Sequence, residues 1–378
     1  MSEEAAAQPG SQVASIDYEA SPSFVALLER LGCSLVISNY QSGAVMTFSA
    51  LGDGRPMQMF APFPAAMGLA IEGDRLAVAA RGELVVLVNT RRLAAGYPKY
   101  PGLFDGYFLP RARYLTGECA LHDLAFDGPD VLAVNTRYSC ICRVDGVHSF
   151  APVWRPPFID EVRPGDRCHL NGMALEDGAL RYVTALGTGN TPRSWAEGKL
   201  TGGVLMEAPG GEVLAAGLCM PHSPRLVDGR LYIVEAGSGA LLQIDRQSGL
   251  KTEIVSLPGF ARGLAAHQGH LFVGLSLVRE SLGFSGLPVE AKGEALFCGV
   301  VAIEIASGRV VGTLRYTGGC TEIHDIQVMA GVRRLGISGC NADTASLAID
   351  MPEESLWLHP PPEPDQAGQE GQEGQRAS

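Results

Sequence analysis

Three histidines sit at equivalent places in a repeated pattern: His122-Asp123-Leu124-Ala125, His222-Ser223-Pro224-Arg225-Leu226 and His324-Asp325-Ile326-Gln327. Neutral imidazole nitrogens suit Zn, Fe or Cu, whereas Ca and Mg prefer oxygen. Histidines converging on one point would therefore hold a transition metal ion, and a set of three leaves positions open for water, substrate or dioxygen. His169, two residues before Asn171, is a fourth candidate ligand. Arg262 occupies the same column as the three histidines. Its guanidinium would grip a carboxylate or phosphate with two prongs, or else pair with Glu322 or Glu118 to tie the fold together. Glu322, two residues before His324, and Glu118, four before His122, are the candidate catalytic carboxylates. Asn171, Asn135 and Tyr138 are candidate substrate contacts. Asp123 and Asp325 follow their histidines directly, so on a strand they point the other way and take structural roles.

Such side chains meet only if their elements are equivalent in space. The pattern occurs six times, counting Met67-Gly68-Leu69-Ala70, Asn171-Gly172-Met173-Ala174 and Arg262-Gly263-Leu264-Ala265. Its copies lie roughly 40 to 60 residues apart, the length of one four-stranded propeller blade. The fold class expected is all-β, a β-propeller of six blades with four antiparallel strands each, whose innermost strands bring the column to the central channel. His122, His222 and His324 would then lie on alternate blades with pseudo-threefold symmetry. Strand-turn-strand texture follows the anchors, as at Leu132–Arg143 and Leu231–Asp245.

A propeller must close, since an open one leaves bare strand edges. The runs Ser34–Tyr40, Ala44–Ser49 and Met57–Phe60 would supply outer strands to a blade begun by His324–Val328. Arg334–Ser338 is one strand candidate too many, which leaves seven blades as the alternative count. Phe24–Gly32, with Ser21 as cap and a terminal glycine, reads as a short helix covering one end of the ring. Residues 1–22 read as a flexible N-terminus, 23–351 as one propeller domain and 352–378, rich in Glu, Pro, Gln and Gly, as a disordered tail.

A net charge of −12 argues against a nucleic-acid surface. The sequence has no run of eighteen apolar residues and no basic-then-apolar start, so the expected location is cytoplasmic and away from a membrane. Nine cysteines fit thiols packed between blades better than a disulfide framework, and Cys140-Ile141-Cys142 lacks the spacing of a structural zinc site. No phosphate loop, nucleophile elbow or dinucleotide fingerprint is present.

The segments Trp154-Arg155-Pro156-Pro157-Phe158-Ile159, Asp166-Arg167-Cys168-His169-Leu170-Asn171-Gly172, Met220-Pro221-His222-Ser223-Pro224-Arg225 and Pro258-Gly259-Phe260-Ala261-Arg262-Gly263-Leu264 resemble a family of uncharacterised bacterial conserved-hypothetical proteins, and Gly274-Leu275-Ser276 with Arg279-Glu280 fits it too. The resemblance runs from about Ser34 to Ile337 and names no reaction. His122, His169 and His222 fall within the matching segments, while an aromatic is common where this chain has His324, so the resemblance leaves His169 and His324 as alternatives for completing a metal site. The architecture also looks like six-bladed gluconolactonase-type propellers, which carry an axial divalent ion, and like carotenoid oxygenases, whose axial iron is held by histidines. The expected function is a metal-dependent enzyme, oxygenase or hydrolase/lyase, acting on a small anionic molecule or a peptide. The competing expectation is a non-catalytic propeller that binds a protein or carbohydrate partner and whose histidines are hydrogen-bonded separately.

Overall fold

Short apolar strands joined by turns that demand left-handed residues dictate the architecture. In blades 3 and 4 the two innermost strands are joined by Asp177-Gly178 and Asp228-Gly229, both residues of each pair at positive φ. This is the type I′ hairpin geometry that matches strand twist and selects Asp-Gly. The computed structural model describes residues 15–278, 285–293 and 295–358. Six sheets of four or five strands, antiparallel but for one outermost strand, make up a six-bladed propeller, joined by one separate two-stranded hairpin.

Blade 1 starts with Leu69–Glu72, blade 2 with Leu121–Asp127, blade 3 with Leu170–Glu176, blade 4 with Pro221–Val227, blade 5 with Phe260–His267 and blade 6 with Ile323–Ala330. Period-2 alternation sends successive side chains to different neighbours. In blade 4, Leu231 and Ile233 pack toward blade 3 while Tyr232 and Val234 pack toward blade 5. Six apolar clusters result, one at each interface between blades. Cysteines join them: Cys119, Cys140 and Cys142 between blades 1 and 2, Cys168 between 2 and 3, and Cys33, Cys298 and Cys320 between 5 and 6. All nine are free thiols.

Closure is made by strands from both ends of the chain. Cys33–Asn39 pairs antiparallel with Ile323–Ala330, Ile37 opposite Ile326, and Ala44–Ala50 and Pro56–Pro62 complete blade 6. The surplus strand is accounted for: Leu335–Ile337 lies parallel to Gly106–Leu115 as a fifth, outermost strand of blade 1, so it begins no seventh blade.

Three expectations need correction. Asp17–Ala20, placed by sequence in a flexible segment, pairs with Arg309–Gly318 as the outer strand of blade 5, which satisfies that edge. The helix Pro22–Leu31 does begin at a Ser21 cap that accepts from Phe24 N and ends at a left-handed Gly32, but it wedges into the seam between blades 5 and 6, where Phe24 meets Phe48 and Phe272. At the other end, Ala348–Asp350 and Ser355–Trp357 form a hairpin, with Trp357 against Tyr97 and Tyr107, so the described residues of the expected tail, 352–358, are ordered. The rest of that tail lies outside the described residues, as do residues 1–14 of the N-terminus and, from the family-like motifs, Arg279 and Glu280.

The axis is blocked by a hub. Arg225 of blade 4 donates Nη1 and Nη2 to the two carboxylate oxygens of Asp123 in blade 2, at 2.9 and 3.1 Å, and also donates to the carbonyls of Met173 in blade 3 and Leu264 in blade 5. Asp325 of blade 6 lies 3.8 Å from Arg225 and accepts from Leu69 N of blade 1. Every blade thus contributes to one polar knot, and Asp123 and Asp325 have the structural role that their orientation implies.

Candidate functional site

Above this knot a cavity of about 630 Å³ opens to one face, lined by His122, His169, His324, Arg262, Met67, Thr136, Asp166, Trp195, Tyr40, Arg137 and Arg193, among others. Its shape comes from a recurring backbone device. Ala65, Ala120, His169 and Met220, each two residues before an anchor of the column, adopt left-handed φ near +50°. That turn aims a carbonyl at the following ring: His122 Nδ1 meets Ala120 O at 3.0 Å and His222 Nδ1 meets Met220 O at 2.9 Å. The same contact occurs far from the cavity at Gln268 and His270, so it is a local consequence of the turn.

The contacts assign the tautomers. Ala120 O only accepts, and the Thr136 hydroxyl, 2.7 Å from His122 Nδ1, donates its hydrogen to Leu170 O. His122 therefore carries its proton on Nδ1 and a lone pair on Nε2. His169 Nδ1 faces the Asp166 carboxylate at 2.9 Å, and that carboxylate also accepts from Trp195 Nε1 at 3.1 Å. This is the arrangement in which an outer acceptor orients a metal-binding imidazole. Burial first, then the neighbouring imidazole of His169, holds the His122 pKa well below the usual imidazole value. Burial and then the charge of Arg262 do the same for His222. Both rings are neutral at neutral pH.

His122 has an imidazole on either side of it. The centroids of His122 and His324 are 4.9 Å apart, and those of His122 and His169 are 5.1 Å apart. His222 is placed differently: 4% exposed, it packs against Phe260 and is not among the cavity-lining residues. Among the described residues, no three His, Cys, Asp or Glu groups stand in ready-made metal-binding geometry.

The remaining candidates separate clearly. Arg262 lines the cavity, yet its Nη1 donates to Glu322 at 3.0 Å, both side chains buried, so the pairing alternative is realised. Asn171 turns aside to donate to Pro221 O and accept from Thr184. His169 reaches the cavity through its left-handed turn, because the strand begins only at Leu170; strand alternation from Asn171 does not apply. Asn135 caps a turn by accepting from Tyr138 N, Tyr138 packs on Phe150, and Glu118 is exposed; none of the three lines the cavity. The sequence reasoning missed Asp166, Thr136, Trp195, Arg137 and Arg193, which stand in turns and loops outside the repeated column. An aspartate three residues before His169 was the one visible signal.

Residues 22–337 match the family model described as a domain of unknown function, DUF4915. The chain belongs to the DUF4915 family. The family's match begins at the first residue of the seam helix and ends with the outer strand of blade 1, so it takes in every cavity residue and all of the ring but the outer strand Asp17–Ala20 of blade 5. Among solved structures, a chain of the nidogen/laminin complex is similar at 14% identity and a TM-score of 0.52, over 79% of this chain and 99% of that one. That likeness is one of fold. A protein of unknown function from Bacteroides caccae is similar at 12% identity and a TM-score of 0.47, over 79% and 99% of the two chains. No curated protein matches the sequence.

Proposed function

We propose that the cavity is the active site of a metal-dependent enzyme acting on a small anionic substrate, with His122, His169 and His324 as ligands of a Zn, Fe or Cu ion. The observation that carries this reading is the position of His122 between two other imidazoles. Two rings that share a metal through Nε2, with bonds of about 2.1 Å and ligand angles of about 90 to 110°, have centroids about 4.5 to 5.2 Å apart. Both separations from His122 fall in that range. The donor set is suitable too: His122 is neutral, its Nδ1 and that of His169 are committed elsewhere, and the cavity leaves room beside the rings for substrate or water. When bound, such an ion would supply Lewis-acid or oxygen-activating chemistry beside the substrate. The contact of His122 with two other imidazoles favours this over a non-catalytic binding propeller, which has no use for clustered imidazoles.

The test is metal stoichiometry by mass spectrometry. Purified protein is incubated with Zn(II), Cu(II) or, without oxygen, Fe(II), and then desalted. One equivalent of one metal is expected to remain, and to be lost in His122→Ala but retained in His148→Ala, an exposed histidine on a blade 2 turn. Retention by His122→Ala equal to that of the parent, or no retained metal at all, overturns the proposal.

A further inference from the structure

Arg262, the guanidinium deepest in the cavity wall, is offset by Glu322. The anion specificity of the site must therefore come from elsewhere. The cavity lining contains three guanidinium groups, Arg137, Arg193 and Arg262, against the single carboxylate of Asp166, in a protein of net charge −12. Asp166 is committed to His169 and Trp195. Arg137 and Arg193 are both exposed, and among the described residues neither makes an ion pair.

Their backbones are hydrogen-bonded to one shared segment. Arg137 follows Thr136 on the blade 2 hairpin, and its carbonyl accepts from Gly165 N and Asp166 N at 2.9 and 3.0 Å. On the other side of the same dipeptide, Arg193 N donates to the carbonyls of Gly165 and Asp166, both at 3.2 Å. Arg193 has left-handed φ, +56°, and its guanidinium lies 5.6 Å from the Trp195 ring centroid. One short segment thus holds two arginine backbones on its flanks while its Asp166 side chain orients His169. Guanidinium forks on fixed backbones recognise planar or tetrahedral oxyanions by paired hydrogen bonds, and less ordering entropy is lost than with lysine.

We propose that Arg137 and Arg193 form an oxyanion clamp at the mouth that binds a carboxylate or phosphate of the substrate and leaves the remainder of the molecule beside the imidazoles. The substrate class is a small organic acid or phosphate ester whose reacting group lies one cavity depth from its anionic end. This deepens the reading of the site given above and has its own readout, because the clamp needs no metal.

The test is isothermal titration of metal-free protein with succinate and, separately, inorganic phosphate, at low and at physiological ionic strength. At least one of them is expected to bind, more weakly as salt rises. The double variant Arg137→Gln/Arg193→Gln is expected to bind at least tenfold more weakly and each single variant several-fold more weakly. Arg309→Gln, which removes one exposed positive charge from blade 5, is expected to bind as the parent does. Binding of succinate alone assigns a carboxylate, and binding of phosphate alone assigns a phosphate. Equal binding by the double variant, or binding of neither anion at millimolar concentration, overturns the clamp. His122→Ala separates the two proposals: loss of metal with anion binding intact supports both, whereas unchanged metal content in His122→Ala sinks the metal centre and leaves the clamp standing.

Discussion

Replacing Arg225 by methionine removes the guanidinium of the axial knot and leaves Asp123 and Asp325 without it, both buried. The guanidinium makes two charge-assisted bonds to Asp123 and three to the carbonyls of Met173, Leu264 and Pro224. Removing one partner from a buried ion pair costs about 3 to 5 kcal/mol. Because Arg225 is 19% exposed, the lower half applies, about 3 to 4 kcal/mol at pH 8. The cost depends on pH. Burial raises the Asp325 pKa to about 7, with Arg225 pulling it down and Asp123 pushing it up. Without Arg225 the Asp325 proton is held more tightly still. A raised folded-state value means that the native protein binds more protons than the unfolded chain between the ordinary carboxyl value and about 7, so stability from this group is present at low pH and lost as pH rises through that window. The deficit of Arg225→Met relative to the parent is therefore expected to shrink by about 1 to 2 kcal/mol at pH 5.5, where one carboxyl is neutral. Urea unfolding followed by tryptophan fluorescence at both pH values measures it, and Arg225→Lys, expected to lie between, serves if the methionine variant fails to fold. A deficit below about 1 kcal/mol at pH 8, or one equal at both pH values, would refute the account of the knot.

Burial keeps His222 neutral in the fold, whereas the unfolded chain takes up a proton near the usual imidazole value. Its contribution therefore weakens stability as pH falls below about 6.5, by at most about 1.4 kcal/mol per pH unit. His222→Asn should flatten the parent's acid limb in urea titrations, and an unchanged slope would count against that. Asp166→Asn is expected to lower metal affinity about 10- to 100-fold by releasing His169; competition with a chelator reads this, and unchanged affinity would remove Asp166 from the site. Phe24→Ala should destabilise the ring by about 3 to 5 kcal/mol through the cavity left in the seam, so a thermal melt that barely moves would mean the helix is dispensable. In native protein about one thiol, Cys340, should react with a thiol reagent, because the other eight are buried; prompt reaction of several would contradict the packing.

Much of the ring is legible locally. Asp-Gly at the inner turns, alternating apolar strands and the Ser21 and Gly32 caps each follow from the conformational needs of a few adjacent residues. The column containing His122 and His324 is legible because equivalent strands place equivalent residues at the axis. What resists reading is long-range. Nothing beside Arg225 in the chain marks it as the partner of Asp123, a hundred residues away. Leu335–Ile337 looks like any short strand, and only the free edge of blade 1 decides where it goes. Arg137 and Arg193 reach the cavity from turns outside the repeated column, and His169 reaches it from a left-handed turn position where a strand reading expects alternation.

His324 stands on the same strand that receives Cys33–Asn39 to complete blade 6. A growing chain therefore cannot display its imidazole cluster until nearly all of the ring has been synthesised and its two ends have met. Non-local pairing of this kind forms late. The coupling also runs in reverse: anything that bridges His122 and His324 fastens blade 2 to the closing blade. An occupied site would then act as a latch, visible as slower opening of the ring in hydrogen exchange across Ile323–Ala330.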